Sequence, residues 1–188
     1  MIKILIFGIY LITAINAQQN NSYNFDSNGI NEDYVIVLSD PQNQATSGIT
    51  LEAWVFPNAE PALDDMSSIV SYLTFTSPTE ESGYGFFYKS GKWRFVVVAE
   101  NDTDVFSQID SWPGIEIEAE TWTHIAGTYD GTIARIFKNG FEESSYNTPG
   151  GAIVWDNINS DLFIGKWIDD NTSFHGFIDE VRIWEIAR

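Results

Sequence analysis

Apolar and polar residues alternate along this chain in short runs, broken every few residues by Gly, Asn, Asp or Pro. The segment ITLEAWVF, residues 49–56, is the plainest case. Ile49, Leu51, Ala53 and Val55 fall on one face, and Thr50, Glu52, Trp54 and Phe56 on the other. Pro57 ends the run. The densest signal is TWTHIAGTYDGTIARIFKNG, residues 121–140. It predicts strands over 122–129 and 133–137, rich in β-branched and aromatic residues. The turn between them is predicted at Asp130–Gly131 as type I′, which needs positive φ at both central residues. Asn139–Gly140 predicts a second tight turn and a third strand over 141–144. Together they make an antiparallel meander.

Further strands are predicted over 34–38, 68–74, 161–164 and 174–184, and residues 115–120 lead into the meander. A second hairpin, 83–88 with 93–99, closes around Lys89–Lys92. Residues 101–112 read as strand only in part. The segments 25–33, 58–66 and 149–151 read as loops. No segment carries helical periodicity. About a dozen short strands separated by turn signals predict an all-β fold, a two-sheet antiparallel jelly-roll sandwich in one domain.

Residues 1–17 stand apart, with Lys3, an apolar run from Ile4 to Ile12, and Ala17 at a cleavage position. This is the pattern of a secretory signal peptide and is too short for a membrane span. The expectation is a secreted or cell-surface protein, with a polar linker over 18–24 and the domain over 25–188. Asn20, Asn101 and Asn171 begin formal glycosylation sequons. The 27 acidic residues against nine basic ones give a net charge of −18. Such a surface repels nucleic acid and attracts cations. With no cysteine, disulfides, thiolate metal sites and cysteine nucleophiles are excluded. Stability must come from the core or from bound metal.

Several segments together resemble the laminin-G-like jelly-roll family, within the concanavalin A-like lectin/glucanase group. They are LEAWVFP (51–57), GYGFF (83–87), WTHIAGTYDG (122–131), RIFKNG (135–140), LFIG (162–165) and FHGFIDEVRIWEIAR (174–188), in family order. The resemblance implies an extracellular binding or adhesion module of the kind found inside larger multidomain proteins. Its implied ligand is a glycan or an extracellular protein, and calcium is the implied cofactor.

Candidate chemistry centres on Asp179. Strict alternation places it with Phe177, Val181 and Ile183. If that face is the core, the buried carboxylate needs an Arg or a metal. The resemblance points to Ca²⁺ where this strand meets the N-terminal loop, with Asp26, Asn28 and the Gly29 carbonyl as partners. The alternative is a structural hydrogen-bond acceptor. Glu180 and Arg182 share the other face as a cross-strand charge network. Trp167, with Asp169, Asp170 and Asn171 after it, could bind a sugar through ring stacking and carboxylate hydrogen bonds, or could cap the core; Trp112 and Trp155 are open to the same two readings. Glu116-Ile117-Glu118-Ala119-Glu120 looks like the catalytic stretch of β-glucanases, which implies Glu116 and Glu120 as acid and nucleophile. Two features oppose that: Glu118 stands where those enzymes carry Asp, and the segment runs straight into the Trp122 strand. His124 and His175 lie in strands without a Ser/Asp pairing. The reading is therefore a non-catalytic binding module supported by calcium. A glycoside hydrolase on β-glucans and a structural spacer are the alternatives.

Overall fold

The computed structural model describes residues 22–25, 33–38, 44–62, 66–77, 80–102, 105, 107–155, 161–167 and 172–188. Among these the strands are, in order, β1 (Tyr23–Phe25), β2 (Val35–Val37), β3 (Ile49–Pro57), β4 (Ser67–Ser77), β5 (Glu80–Lys89), β6 (Lys92–Val97), β7 (Gly114–Ile115), β8 (Thr123–Tyr129), β9 (Ile133–Lys138), β10 (Phe141–Asn147), β11 (Leu162–Ile164) and β12 (Gly176–Trp184). A 3₁₀ turn covers Ile109–Ser111. The strands form two six-stranded sheets, β1-β12-β3-β8-β9-β10 and β2-β11-β4-β5-β6-β7, antiparallel throughout. The all-β sandwich expected from the alternation is the fold observed. No helix among the described residues is long and apolar enough to cross a membrane.

The meander is β8-β9-β10, but its first turn differs from expectation. Asn139 and Gly140 both have positive φ, 51° and 84°, as a type I′ turn requires. Ser90 and Gly91 do the same between β5 and β6, at 51° and 77°. At the Asp130 turn only Gly131 is positive, at 97°, and the Asp130 amide points back to the Ile133 carbonyl. The turn is thus centred on Gly131–Thr132, one residue later than predicted. Asp130 is held outside it because its Oδ1 accepts from the Thr132 and Ile133 amides, at 3.0 and 2.8 Å. The other boundary difference is at the N-terminus. Tyr23 and Asn24, expected in a linker, pair with Ile178 and Phe177 of β12.

The sheets differ in how they are covered. In the first sheet, Ile49, Leu51, Ala53 and Val55 of β3 are fully buried as the alternation predicts, while Trp54 is exposed. In the second sheet, residues 67–74, 81–88 and 93–99 are buried without a break. Phe95 faces the first sheet, against Gly127 of β8. Its neighbour Arg94 faces away and is covered in turn. Arg94 Nη1 donates to the Asp110 and Trp112 carbonyls, at 2.9 and 2.8 Å, which ties the segment carrying the 3₁₀ turn over that face. Trp112 and Trp155 are core caps: Trp112 packs on Tyr146, and the Trp155 indole N–H donates to the Ala45 carbonyl. Among the described residues, the central strands β4, β5 and β6 of the second sheet are covered, whereas β3, β8 and β12 of the first sheet present outward side chains to water.

The inter-sheet contact at Gly127 yields a test. A Cβ there would lie 2.2 Å from the Phe95 ring, which is fully buried and has nowhere to move. Gly127→Ala should lower unfolding stability by about 1–3 kcal/mol in urea titration, the usual cost of overpacking.

Candidate functional site

The candidate site is shaped by a bulge in β12. Asp179 pairs with Trp54 and Arg182 with Glu52, so Glu180 and Val181 together face the single residue Ala53. Glu180 takes a positive φ of 50°, and its amide donates to Asp179 Oδ1 at 2.7 Å. The extra residue reverses the faces. Ile178, Val181 and Ile183 are buried, while Phe177, Asp179, Arg182 and Trp184 face outward. The strict alternation that grouped Asp179 with Val181 and Ile183 is corrected here. Asp179 is half-buried on the outer face. Partial burial raises its pKa above the ordinary carboxylate value, opposed by the Glu180 N–H and reinforced by the Glu180 charge.

Around Asp179 the first sheet gathers aromatic rings. Trp54 and Phe56 come from β3, His124 from β8, Phe177 from β12, and Trp122 from just before β8. Trp54 lies 5.3 Å from His124, Phe56 lies 5.6 Å from Trp122, and Phe177 lies 5.8 Å from Phe56, centroid to centroid. Trp54 and Trp122 keep 38% and 40% of their surface exposed. With Asp179 and Glu180 they line a shallow recess of about 290 Å³. Beside it, Glu52 binds His124 Nε2 at 3.6 Å and Arg182 Nη1 at 3.5 Å, and accepts from the Trp184 indole at 3.3 Å. Arg182 also pairs with Glu180; the charge network expected for these residues forms, but the bulge puts Arg182 on the same face as Asp179 and not on the opposite one. Ring faces next to a carboxylate can stack on the C–H face of a sugar and accept its hydroxyl hydrogen bonds.

A deeper cavity of about 460 Å³ lies at one end of the sandwich, lined in part by Glu60, Met66, Trp93, Ser173, Phe174 and His175. Its wall carries one polar anomaly. The Ser173 hydroxyl is buried without a hydrogen-bond partner.

Of the residues singled out in the sequence, Asp26, Asn28, Gly29, Asp169, Asp170 and Asn171 lie outside the described residues. Phe25 pairs with Gly176, at the start of the strand that carries Asp179. Among the described residues, no group of three or more His, Cys, Asp or Glu could hold a metal. Trp167 is only 5% exposed, its indole N–H donates to the Leu73 carbonyl at 3.0 Å, and its ring stands edge-on to Phe87. The expectation of Trp167 as an exposed stacking ring is therefore corrected: the indole serves the core. Glu116, Glu118 and Glu120 are exposed in the connection between β7 and β8, and none of them lines either recess. Sequence reasoning missed Trp54 and Trp122 as surface residues. The signal for Trp54 was present, since it falls on the polar face of ITLEAWVF.

A laminin G family model, described as the concanavalin A-like lectin/glucanases superfamily, matches residues 26–188. No curated protein matches the chain. A candidate carbohydrate-binding protein from Bacteroides ovatus superposes with a TM-score of 0.62 at 18% identity, over 88% of this chain and 43% of that one. Botulinum neurotoxin type C, whose cell entry depends on two ganglioside molecules, gives a TM-score of 0.65 at 14% identity, over 93% and 42%. The binding domain of botulinum neurotoxin DC in complex with SialylT gives 0.63 at 12% identity, over 93% and 42%. These likenesses show the fold. The chain spans less than half the length of each of these chains.

Electrostatics elsewhere in the molecule supply a pH test. Burial pushes the Asp102 carboxyl up from 3.8 to about 6, and its Oδ2 has no hydrogen-bond partner. The folded chain thus holds this proton more tightly than the unfolded chain. The stability it confers is full below about pH 4 and is lost as pH rises through about 6. Asp102→Asn should raise the melting temperature at pH 7, and the gain over wild type should shrink toward pH 4 in a calorimetric series.

Proposed function

The chain belongs to the concanavalin A-like lectin/glucanase superfamily, and we propose that it is a non-catalytic module that binds carbohydrate on the outer face of its first sheet. One observation carries the reading: two indoles stay about 40% exposed beside a half-buried carboxylate in one recess. Large exposed aromatic surface on an otherwise well-packed protein marks an interaction site. A sugar suits it because a pyranose offers an apolar C–H face to a ring and hydroxyls to a carboxylate. The carbohydrate and ganglioside ligands of the structurally similar proteins support the same reading. Export is part of the proposal, supported by the Lys3, Ile4–Ile12 and Ala17 pattern, as is a place within a larger adhesive protein.

Calcium support is a separate part of the proposal. It rests on the resemblance that pairs Asp179 with Asp26, Asn28 and the Gly29 carbonyl. The described residues supply only Asp179 from that set, with Glu180 beside it already paired to Arg182. Two carboxylates fall short of the six to eight oxygens that Ca²⁺ takes. Sugar recognition by Trp54 and Trp122 is accordingly derived without the ion.

The end cavity is the second reading, favoured by the unpartnered Ser173 hydroxyl. A glycan array probed with Trp54→Ala, Trp122→Ala and His175→Ala separates the two. Loss of about tenfold in affinity from either tryptophan variant, equivalent to about 1.4 kcal/mol, is expected, with His175→Ala binding as wild type does. The opposite pattern would move the site to the end cavity, and a wild-type array without any bound glycan would leave a spacer. Catalysis is checked by sugar release from β-glucans, where activity lost in Glu116→Gln or Glu120→Gln would restore the hydrolase. If calcium binds the folded form, millimolar Ca²⁺ must raise the melting temperature and EDTA must reverse it; identical melts remove calcium from the account.

A further inference from the structure

The charge around the recess bears on which sugars fit it. Three carboxylates, Asp179, Glu180 and Glu52, surround the aromatic face, and one guanidinium, Arg182, answers both Glu180 and Glu52. His124 adds a contact to Glu52. Asp179 is left with the Glu180 amide and, among the described residues, makes no ion pair. It also stands beside an exposed ring: Trp54 is its direct partner across the strands, so their Cβ atoms lie about 5 Å apart. A half-buried carboxylate has already lost part of its water, and Arg182, whose charge eases it from a distance, is ion-paired to Glu180 and Glu52 instead.

The rings act in the same direction. An indole face is electron-rich and attracts cations as well as C–H groups. The whole chain carries a charge of −18, so its long-range field draws cations and repels anions. An anionic sugar, sialylated or sulfated, would meet like charge at Asp179. A neutral sugar would make only hydrogen bonds there. A sugar with an ammonium group would supply a direct counter-charge, which Arg182 gives only from a distance. At about 290 Å³ the recess is at the small end of ligand sites and suits a single ring.

Building on the outer-face carbohydrate reading, we propose that this recess selects sugars bearing a protonated amine, of the glucosamine type, with the ammonium on Asp179 and the ring against Trp54 and Trp122. Binding is charge-assisted at one point and apolar at the other. The preference weakens with added salt, since the recess is open to solvent.

The test is calorimetric titration of the full chain with four probes, at a pH where the sugar amine is protonated. The probes are a glucosamine hexamer, an N-acetylglucosamine hexamer, sialyllactose and spermine. The glucosamine hexamer should bind about tenfold tighter than its acetylated counterpart, as one charge-assisted contact of about 1.5 kcal/mol implies. Sialyllactose should bind weakest. Asp179→Asn keeps an oxygen for the Glu180 amide and so preserves the bulge; it should bring the ratio between the two hexamers close to one. An acetylated hexamer that binds as tightly as the free amine would overturn the amine preference and leave the carbohydrate reading standing. Sugars that all fail to bind, on a chain shown to be folded, would overturn the carbohydrate reading and the preference with it. Spermine binding as tightly as the glucosamine hexamer would show that the recess reads charge without the ring, and would also overturn the proposal.

Discussion

The outer surface of the first sheet depends on one backbone irregularity, the extra residue in β12 between Asp179 and Arg182. The hydrogen bond from the Glu180 amide to Asp179 and the positive φ of Glu180 hold it in place. Without it, a strand of period two would send Val181 and Ile183 to the same side as Asp179. Either two aliphatic residues would face water or a carboxylate would face the core. The bulge lets one strand bury Ile178, Val181 and Ile183 and still present Phe177, Asp179, Arg182 and Trp184. An acidic group thereby joins the aromatic surface without being placed in the core.

The two sheets show how one fold can have both a closed and an open layer. The central strands of the second sheet, β4 to β6, are buried on both faces, and they bury polar residues such as Ser68, Ser71 and Ser82 along with their apolar ones. Arg94 is the clasp, with its guanidinium spent on the carbonyls of Asp110 and Trp112. Those contacts satisfy a buried cation and fix a long connection over the sheet. Among the described residues, the outer face of β3, β8 and β12 in the first sheet has no such cover. There Phe56, Trp122 and Phe177 pack against one another and Trp54 packs against His124, and both indoles keep surface in contact with water.

Charge and aromaticity are coupled at this face. Glu52 organises His124, Arg182 and Trp184, so the one guanidinium of β12 is committed to it and to Glu180. What is left over is a carboxylate, Asp179, beside open rings. Local surplus and global net charge have the same sign, so short-range and long-range electrostatics act together on any approaching ligand.

The architecture was largely legible in the chain itself. Alternation in ITLEAWVF, the Asn139–Gly140 turn and the apolar runs of β4 to β6 specify local geometry that the sandwich preserves, because strand period and turn φ are properties of a few adjacent residues. The Asp130 turn was misplaced by one residue, because an Asp side chain can bond its own turn amides as well as enter αL. The candidate site was less legible. Trp167 and Trp54 are the same residue type in similar company. One is buried, with its indole reaching the Leu73 carbonyl, and the other is exposed on the outer face of its sheet. Asp179 was recognised as informative, yet its facing was decided by a bulge that alternation cannot register. Sequence determined which segments become strands and where most of them turn; tertiary structure alone decided which sheet would be covered and which side chains would meet water, because both depend on residues distant in the chain.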